Sequence, residues 1–420
     1  MSGTTKYGLT YTVEMALSAS TGSYGVWDTG KWDTATWGPD VVWVDVSQWV
    51  RSIDTGRAFD RQAKQWGSGN ARVVLDNRDG RFSPTNLSGP YVTGGVTQIR
   101  PWRPARIRFT WAGVLYECFT GYGLDWAEGF SQARNGQGDA VVVVSCVDEL
   151  DSLSRFDPFA TSPVGGGETS GKRIHRVLNN AGHTGLRDID NGQMTMQPTT
   201  LAQNTVTELK LTADSEGGAI YVGKDGSIIF DNIYALIENT RSNTIQATFG
   251  DNGTDLPYSS VTPQYNGDLL VNMAAFARQN GTQVLSADNT SRALYADKQD
   301  SRTDLMCETD TQVKTVADIW VQRFKDPEYR FVSMQIQPRR DPTRLFPQAL
   351  GREVRDLIRV KRQTPAGFTI TQDVFITGIS HAMTTTNFAT TFALGSGAPY
   401  TSFTTSRFDT GKWDTATWFY

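Results

Sequence analysis

Short runs of alternating apolar and polar residues dominate the first half of the chain, and this alternation is typical of half-buried β-strands. Every second residue of 105–111 is apolar, and two arginines and a threonine lie between them. Ala112–Gly113 then turns the chain, which predicts a hairpin with a basic solvent-facing side. Residues 140–147 are apolar on both faces and predict a central strand. Residues 41–157 therefore predict a β-barrel-like domain with strands at 41–46, 71–76, 105–111, 114–120 and 140–147.

A Pro- and Gly-rich stretch begins at Pro158, and after it the apolar residues recur with the period of a helix. Two helices with one apolar face each are predicted, the first carrying Ile174, Val177, Leu178 and Ala181 and the second Ala202, Val206, Leu209 and Ala213. Thr169 or Ser170 can cap the first helix, and Gly182 can end it. A hairpin with residues 224–226 at its turn comes next. Residues 158–243 therefore predict a small α+β domain.

The last third, residues 244–398, returns to strand patterns and predicts a second β-barrel domain with one helix. Asn280-Gly281 predicts a hairpin between 269–278 and 282–287. An apolar helical stripe, which Asp310 or Thr311 can cap, contains Val313, Val316, Ala317, Trp320 and Phe324. Later strands are predicted at 357–361, 368–380 and 388–394. The predicted fold class is mainly β, with two β-barrel-like domains and a helical insertion domain.

The strand at 71–76 ends in a dense turn sequence that runs to Pro84. Asp76, Asn77, Asp79 and Gly80 are residues that bond their own backbone or accept a positive φ, and Pro84 stops further sheet pairing. On composition alone this is an ordinary turn. The run Val-Leu-Asp-Asn-Arg-Asp-Gly-Arg-Phe-Ser-Pro, however, resembles a signature of the minor tail proteins of long-tailed, non-contractile actinobacteriophages, the group related to the tail hub.

Two later segments resemble the same family, so that the resemblance covers residues 41–394. The first is the order of helix, Ile-Asp-x-Gly at 189–192, helix, Ser-Glu-Gly-Gly at 215–218 and Lys-Asp-Gly hairpin. The second is a closing hairpin formed by 374–381 and 388–394. Phe388 stands where the family often has Trp, which is a conservative departure.

The resemblance implies a structural virion protein, a tail hub or baseplate hub at the distal tip of a bacteriophage tail. With two tail-tube β-barrels in each chain, a homotrimer would form a ring of six barrels that continues the hexameric tail tube. The expected partners are further copies of the chain and the neighbouring tail proteins, namely the distal tail ring, the tape measure and the tip proteins. DNA would pass through the channel during host cell entry without stable binding. Assembly is expected in the host cytoplasm.

The same ten residues, Asp-Thr-Gly-Lys-Trp-Asp-Thr-Ala-Thr-Trp, occur at 28–37 and again at 409–418. An aromatic residue recurs every five positions, as Trp27, Trp32 and Trp37 in the first copy and Phe408, Trp413 and Trp418 in the second. This spacing fits neither a strand nor a helix and predicts a compact loop, so residues 1–40 and 399–420 are interpreted as Trp-repeat arms.

Two functions compete for the repeat. In the first, each arm docks on a protein surface through its indoles, and this protein-interaction hypothesis is favoured because Trp is enriched among interface anchors. In the second, the indole faces and Asp carboxylates bind sugars, which would make the protein a carbohydrate-binding adhesin that recognises the host.

Composition and charge narrow the function classes further. The 420 residues include 40 Gly and 12 Trp with 20% charged residues, which predicts a globular chain of two to four domains. A net charge of -4 argues against a surface that binds nucleic acid stably. No apolar run is long enough for a signal peptide or a membrane span, so we expect no membrane insertion by the protein itself. Cys118, Cys146 and Cys307 are expected to be reduced core residues.

The sequence contains no clear catalytic, cofactor-binding or metal-binding motif. His175, His183 and His381 do not have metal-ligand spacing, and the glycines at 165–167 do not follow a buried strand as a phosphate loop would. Two carboxylate pairs, Asp148 with Asp151 and Asp188 with Asp190, could in principle serve glycoside hydrolysis. Such residues more often cap turns, so a cell-wall hydrolase is the second alternative, and we expect neither an enzyme nor a cofactor.

Overall fold

A computed structural model describes residues 3–18, 42–60, 65–131, 138–157, 163–201, 203–265, 267–327 and 329–396. Both copies of the repeated decapeptide lie outside these residues. The predictions for Trp27, Trp32, Trp37, Phe408, Trp413 and Trp418 therefore stay predictions, as does the place of Ala202 on its helix.

The chain forms β-structure first, leaves it twice for mixed α/β segments, and returns each time. The first part contains β1 (Gly3–Thr4), β2 (Thr10–Met15), β3 (Val44–Asp45), a 3-10 turn (Ser47–Trp49), β4 (Val50–Asp60), β5 (Gln65–Trp66), β6 (Asn70–Asp76), β7 (Val92–Thr93), β8 (Val96–Thr97), β9 (Arg103–Trp111), β10 (Val114–Phe130), β11 (Ala140–Val147) and α1 (Glu149–Leu153). The first insertion, residues 163–243, contains β12 (Glu168–Thr169), α2 (Ser170–Asn180), β13 (Arg187–Ile189), β14 (Thr195–Met196), α3 (Thr205–Glu216), β15 (Ala219–Val222), β16 (Ile228–Asp231), α4 (Ala235–Glu238) and α5 (Thr240–Asn243).

Two strands, β17 (Thr248–Phe249) and β18 (Ser260–Tyr265), precede the second insertion, residues 267–327. That insertion contains β19 (Met273–Arg278), β20 (Val284–Ala287), α6 (Asn289–Tyr295), β21 (Gln299–Leu305) and α7 (Asp310–Phe324). The chain ends its described part with β22 (Tyr329–Ile336), a 3-10 turn (Pro338–Arg340), α8 (Pro342–Gly351), β23 (Leu357–Gln363), β24 (Thr369–Thr384) and β25 (Phe388–Ser396).

Fifteen strands form one sheet, in the order β1-β2-β9-β10-β11-β6-β4-β24-β25-β22-β18, with β3, β5, β17 and β23 attached beside this path. The mainly β fold with a smaller α+β part is confirmed, and β11 lies in the interior as predicted. The two β regions meet edge to edge at β4 and β24, which pair antiparallel from Ala58 opposite Gly378 to Ser52 opposite Thr384. We call this pairing the seam. It means that the two predicted barrels share one sheet.

The N-terminal residues belong to this sheet, which corrects the prediction of an arm over residues 1–40. Strand β2 pairs with β9, and Leu9, Val13 and Met15 are fully buried in the main core. The alternation of 10–15 is a strand pattern like those recognised elsewhere in the chain, so the arm can begin no earlier than the end of this strand.

The second insertion does not join the large sheet, although it lies within the predicted second barrel. Its strands form a separate three-stranded sheet, and Phe276, Leu305 and Val316 pack in one core with Met196 and Leu211 of the first insertion. The described residues between 244 and 396 contain three helices, α6, α7 and α8, rather than the predicted one. The apolar stripe of α7 packs on β19 and β20 of its own insertion and also contacts α3 of the first insertion.

The local signals within the insertions are mostly confirmed. Thr169 caps α2, and Gly182 follows it with a φ of +68°. The hairpin at Asn280 is present, with β19 and β20 paired antiparallel. The cap of α7 is Thr309, not Asp310 or Thr311, because its hydroxyl and the Gln312 side chain form a reciprocal capping box.

Candidate functional site

The predicted motif turn is a self-contained folded loop at the end of β6. Asn77 is buried, and its Oδ1 accepts a hydrogen bond from the Phe82 N–H at 2.8 Å. The Gly80 N–H donates to the Asn77 carbonyl at 2.9 Å, and Gly80 has a φ of +70° that favours glycine. The Asn86 side chain closes the loop by donating to the Gly80 carbonyl at 3.0 Å. Pro84 lies in the loop that follows β6, eight residues after that strand ends at Asp76.

The turn places one aromatic anchor in the core. Phe82 is fully buried and packs edge-on against Trp49 and stacked against Tyr91, with ring centres 5.7 and 5.6 Å apart. The Arg81 guanidinium lies over the Trp49 ring, 4.0 Å from its centre. The loop beyond this anchor exposes Leu87. The motif therefore holds the base of a surface loop to the sheet.

The acidic residues of the motif are paired with arginines. Hydrogen bonds from Arg78 hold the pKa of Asp76 at about 2, and Arg51 contributes from 3.1 Å. The hydrogen bond from Arg81 likewise lowers the pKa of Asp79. Both carboxylates stay charged at neutral pH and act as fixed partners within the loop, so the motif serves structure rather than proton transfer.

One carboxylate of each pair considered for hydrolysis holds backbone N–H groups of the fold. Asp148 is buried, caps α1 through the Leu150 N–H and accepts from the Gly69 N–H, while burial raises its pKa. Asp190 accepts from the Asn232 N–H at 2.9 Å. These contacts give both residues a capping role.

A cluster of ionisable side chains, which the sequence did not indicate, lies where the seam meets the first insertion. Arg57 of β4 forms an ion pair with Glu353, and its guanidinium also donates to the Val222 carbonyl at 3.2 Å. Lys224 lies 3.6 Å from Glu353 and donates to the carbonyls of Leu350 and Arg352 at 2.9 and 3.0 Å. Burial would raise the pKa of Glu353, but Arg57 and Lys224 lower it. This seam cluster joins three separate parts of the chain.

His381 lies in the seam beside this cluster and is buried. Its Nδ1 is 2.9 Å from the Thr390 hydroxyl, and its ring packs against Phe388 and Phe109. Burial lowers its pKa to about 3, with Lys224 and Arg57 adding to the effect. His381 is therefore a neutral core residue at physiological pH.

The other candidate ligands are separated in the fold. His175 is exposed on its helix, and His183 is buried at the end of the same helix, 3.7 Å from a Glu149 carboxylate oxygen. Cys118, Cys146 and Cys307 are buried, and burial raises the pKa of their thiols. Within the described ranges, no group of three or more His, Cys, Asp or Glu side chains could hold a metal ion. None of the described helices is long and apolar enough to cross a membrane.

The fold defines the class of protein to which the chain is similar. Its structure matches the 43 kDa tail protein of prophage MuSo2 from Shewanella oneidensis with a TM-score of 0.57 and 13% identity, over 93% of this chain and 99% of that one. It matches the tail protein from Neisseria meningitidis MC58 with a TM-score of 0.55 and 11% identity, over 92% and 96% of the two chains. No protein-family model matches the sequence, and no curated protein matches it. The chain thus has a fold found in phage tail proteins.

Proposed function

We propose that the protein is a structural component of a bacteriophage virion, a tail hub or minor tail protein at the distal tip of the tail. The single observation that carries the proposal is the extent of the structural match, which takes in over nine-tenths of this chain and of both tail proteins. The motif turn, which resembles the actinobacteriophage hub signature, supports the finer assignment. The protein would anchor tip proteins and would not be an enzyme.

The open ends of the sheet support a ring of several copies. Strand β18 is the last strand on the path, and no described strand pairs with its outer edge. Pro263 is tolerated there because an edge strand lacks one set of ladder hydrogen bonds. Tyr265 and Tyr329 form a cross-strand pair at this edge and are both exposed. Such an edge suits contact with a neighbouring subunit, and a homotrimer would continue the hexameric tube.

The charge pattern supports a channel through which DNA passes without stable binding. The predicted basic face of the β9–β10 hairpin is present, but Arg106 and Arg108 both form ion pairs with Glu14 of β2. Their positive charge is therefore partly neutralised within the sheet. A net charge of -4 gives the chain as a whole little attraction for phosphate.

Native mass measurement of the purified protein, together with two-dimensional class averages, tests the ring. We expect a trimer whose view along the axis shows pseudo-six-fold density. A protein that stays monomeric at high concentration, even with its tail partners present, would reject a hub. Digestion of purified cell walls by the protein would instead favour the hydrolase alternative.

We also propose that the two Trp-repeat arms are protein-interaction segments. The identical decapeptide at 28–37 and 409–418 supplies the same anchors twice, as two equivalent docking surfaces would require. The double variant Trp413→Ala plus Trp418→Ala should then keep the same overall fold but assemble into tails poorly. If it builds intact tails that fail only to adsorb to cells, the arm binds glycans and the adhesin alternative replaces this proposal.

A further inference from the structure

A cavity of about 400 Å³ lies where the large sheet and both insertions meet. Trp66 and Phe375 contribute from the large sheet, Leu236 from the first insertion, and Phe276 and Phe324 from the second. A cavity of this size is in the range that holds a compact organic group, and its aromatic lining suits a flat apolar one.

Charged side chains accompany the aromatic lining. Arg302 is held 2.8 Å from Asp214 and 3.1 Å from Asp304, and Lys210 and Arg355 also line the cavity. Asp214, Asp300 and Asp326 line the cavity as well, and Arg355 forms an ion pair with Asp231 at 2.9 Å. The lining is therefore mainly apolar, with charges of both signs, and it suits an aromatic group better than a charged one.

The last described residues of the chain, Gly395 and Ser396, belong to the cavity lining. Residues 397–420 continue directly from this point and carry Phe408, Trp413 and Trp418. An extended chain covers roughly 3.3–3.6 Å per residue, so each of these side chains is within reach. Such tethering also gives a segment an effective concentration of about millimolar at a nearby site.

We propose that, in the free subunit, the cavity is the docking site for the aromatic side chains of the C-terminal arm of the same chain, which would exchange this site for a neighbouring protein surface during tail assembly. Phe408, Trp413 and Trp418 supply three large aromatic groups for this aromatic lining. Docking in the free subunit does not rest on the tail function, because it uses only the cavity and the attachment point of the arm.

The N-terminal copy of the repeat provides a matched alternative with the same ten residues. The described residues on either side of it are Ser18, which follows β2, and Val42, which precedes β3. Neither Ser18 nor Val42 lines the cavity. Chemistry alone would admit either copy, whereas attachment favours the C-terminal one.

The test is site-specific crosslinking in the full-length chain. A photo-crosslinking phenylalanine analogue replaces Trp413 in one variant and Trp32 in the matched control, and crosslinked peptides are identified by mass spectrometry. We expect the analogue at position 413 to crosslink to peptides that contain Trp66, Phe276 or Phe324, and the analogue at position 32 to crosslink elsewhere. Equal labelling of the cavity by both variants, or no cavity labelling from position 413, would overturn the proposal.

Two further measurements separate the remaining occupants. Mixing ordinary with isotope-labelled protein shows whether the crosslinks lie within one chain; crosslinks found only between chains would assign the cavity to a second copy and overturn the proposal. Amide exchange at β15 and β19 should become several-fold faster in Trp413→Ala plus Trp418→Ala but stay unchanged in Trp32→Ala plus Trp37→Ala. Unchanged exchange in both variants would also overturn it.

Discussion

Replacing Asn77 by alanine tests whether the buried amide of the motif turn holds the following loop to the sheet. The side chain is 2% exposed, and its Oδ1 accepts the Phe82 N–H at 2.8 Å, so the variant leaves a buried donor without its partner. An unsatisfied buried donor costs about 1–3 kcal/mol. The same change loosens the segment that holds Phe82 between Trp49 and Tyr91. We therefore expect Asn77→Ala to lower the free energy of unfolding by about 2 kcal/mol.

Urea unfolding measures the loss of stability, and amide hydrogen exchange locates it. Exchange should speed up across residues 78–99 while β11 and β6 keep most of their protection. Asp79→Ala is the control, because it removes an ion pair with Arg81 whose carboxylate is 49% exposed and should cost less than about 1 kcal/mol. Equal stability losses in the two variants would refute the reasoning, since the attachment of the loop to the sheet would then not depend on the buried amide of Asn77.

Three other perturbations test the seam. The pKa of His381 is about 3 in the folded chain, so between about pH 3 and 6.5 the unfolded chain binds a proton at this residue that the folded chain does not. The free energy of unfolding should therefore rise with pH in this range, by at most about 1.4 kcal/mol per pH unit. His381→Gln should flatten this part of the pH–stability curve, and an unchanged slope would contradict the pKa. Glu353→Ala leaves Arg57 and Lys224 without their carboxylate and should lower the free energy of unfolding in urea by about 2 kcal/mol. Amide exchange in β15 should also become faster. Unchanged exchange there would argue against a link between the seam cluster and the first insertion. A Cβ at Gly378 would lie 2.7 Å from the Ala58 Cβ, so Gly378→Ala should cost about 1–3 kcal/mol, whereas Gly267→Ala, with no atom within 4 Å of the added carbon, should leave thermal stability nearly unchanged.

The spacing of apolar residues and the presence of turn and capping residues predict the elements that depend only on nearby sequence. Residues 105–111 alternate strictly and form β9, and Thr169 and Gly182 bound α2. The sequence does not predict β4, because Val-Arg-Ser-Ile-Asp-Thr-Gly-Arg-Ala-Phe-Asp carries four charged residues and no regular alternation of apolar residues. Those charges are tolerated because their partners come from distant parts of the chain, such as Asp139 for Arg51 and Glu353 for Arg57.

In the candidate site, too, features set by nearby sequence are predictable and features set by distant contacts are not. Asn77 and Gly80 were recognisable as turn residues, but the burial of Asn77 depends on Phe82 reaching the rings of Trp49 and Tyr91. The seam cluster had no sequence signal, since Arg57, Lys224 and Glu353 are each separated by more than a hundred residues. The apolar stripe of α7 predicted a helix without indicating which surface it would cover.

The seam also imposes an order on synthesis. Strand β4 is complete once residue 60 has been made, but its partner β24 ends only at residue 384. At ribosomal speeds of about 5–20 residues per second, that edge of the nascent sheet waits for some tens of seconds without its neighbour. An open strand edge is a template for pairing with other chains, so a host cell making many copies at once exposes this protein to mispairing before it is finished. Slower production at lower temperature, or a chaperone that covers the edge of β4, should therefore raise the yield of correctly folded chains.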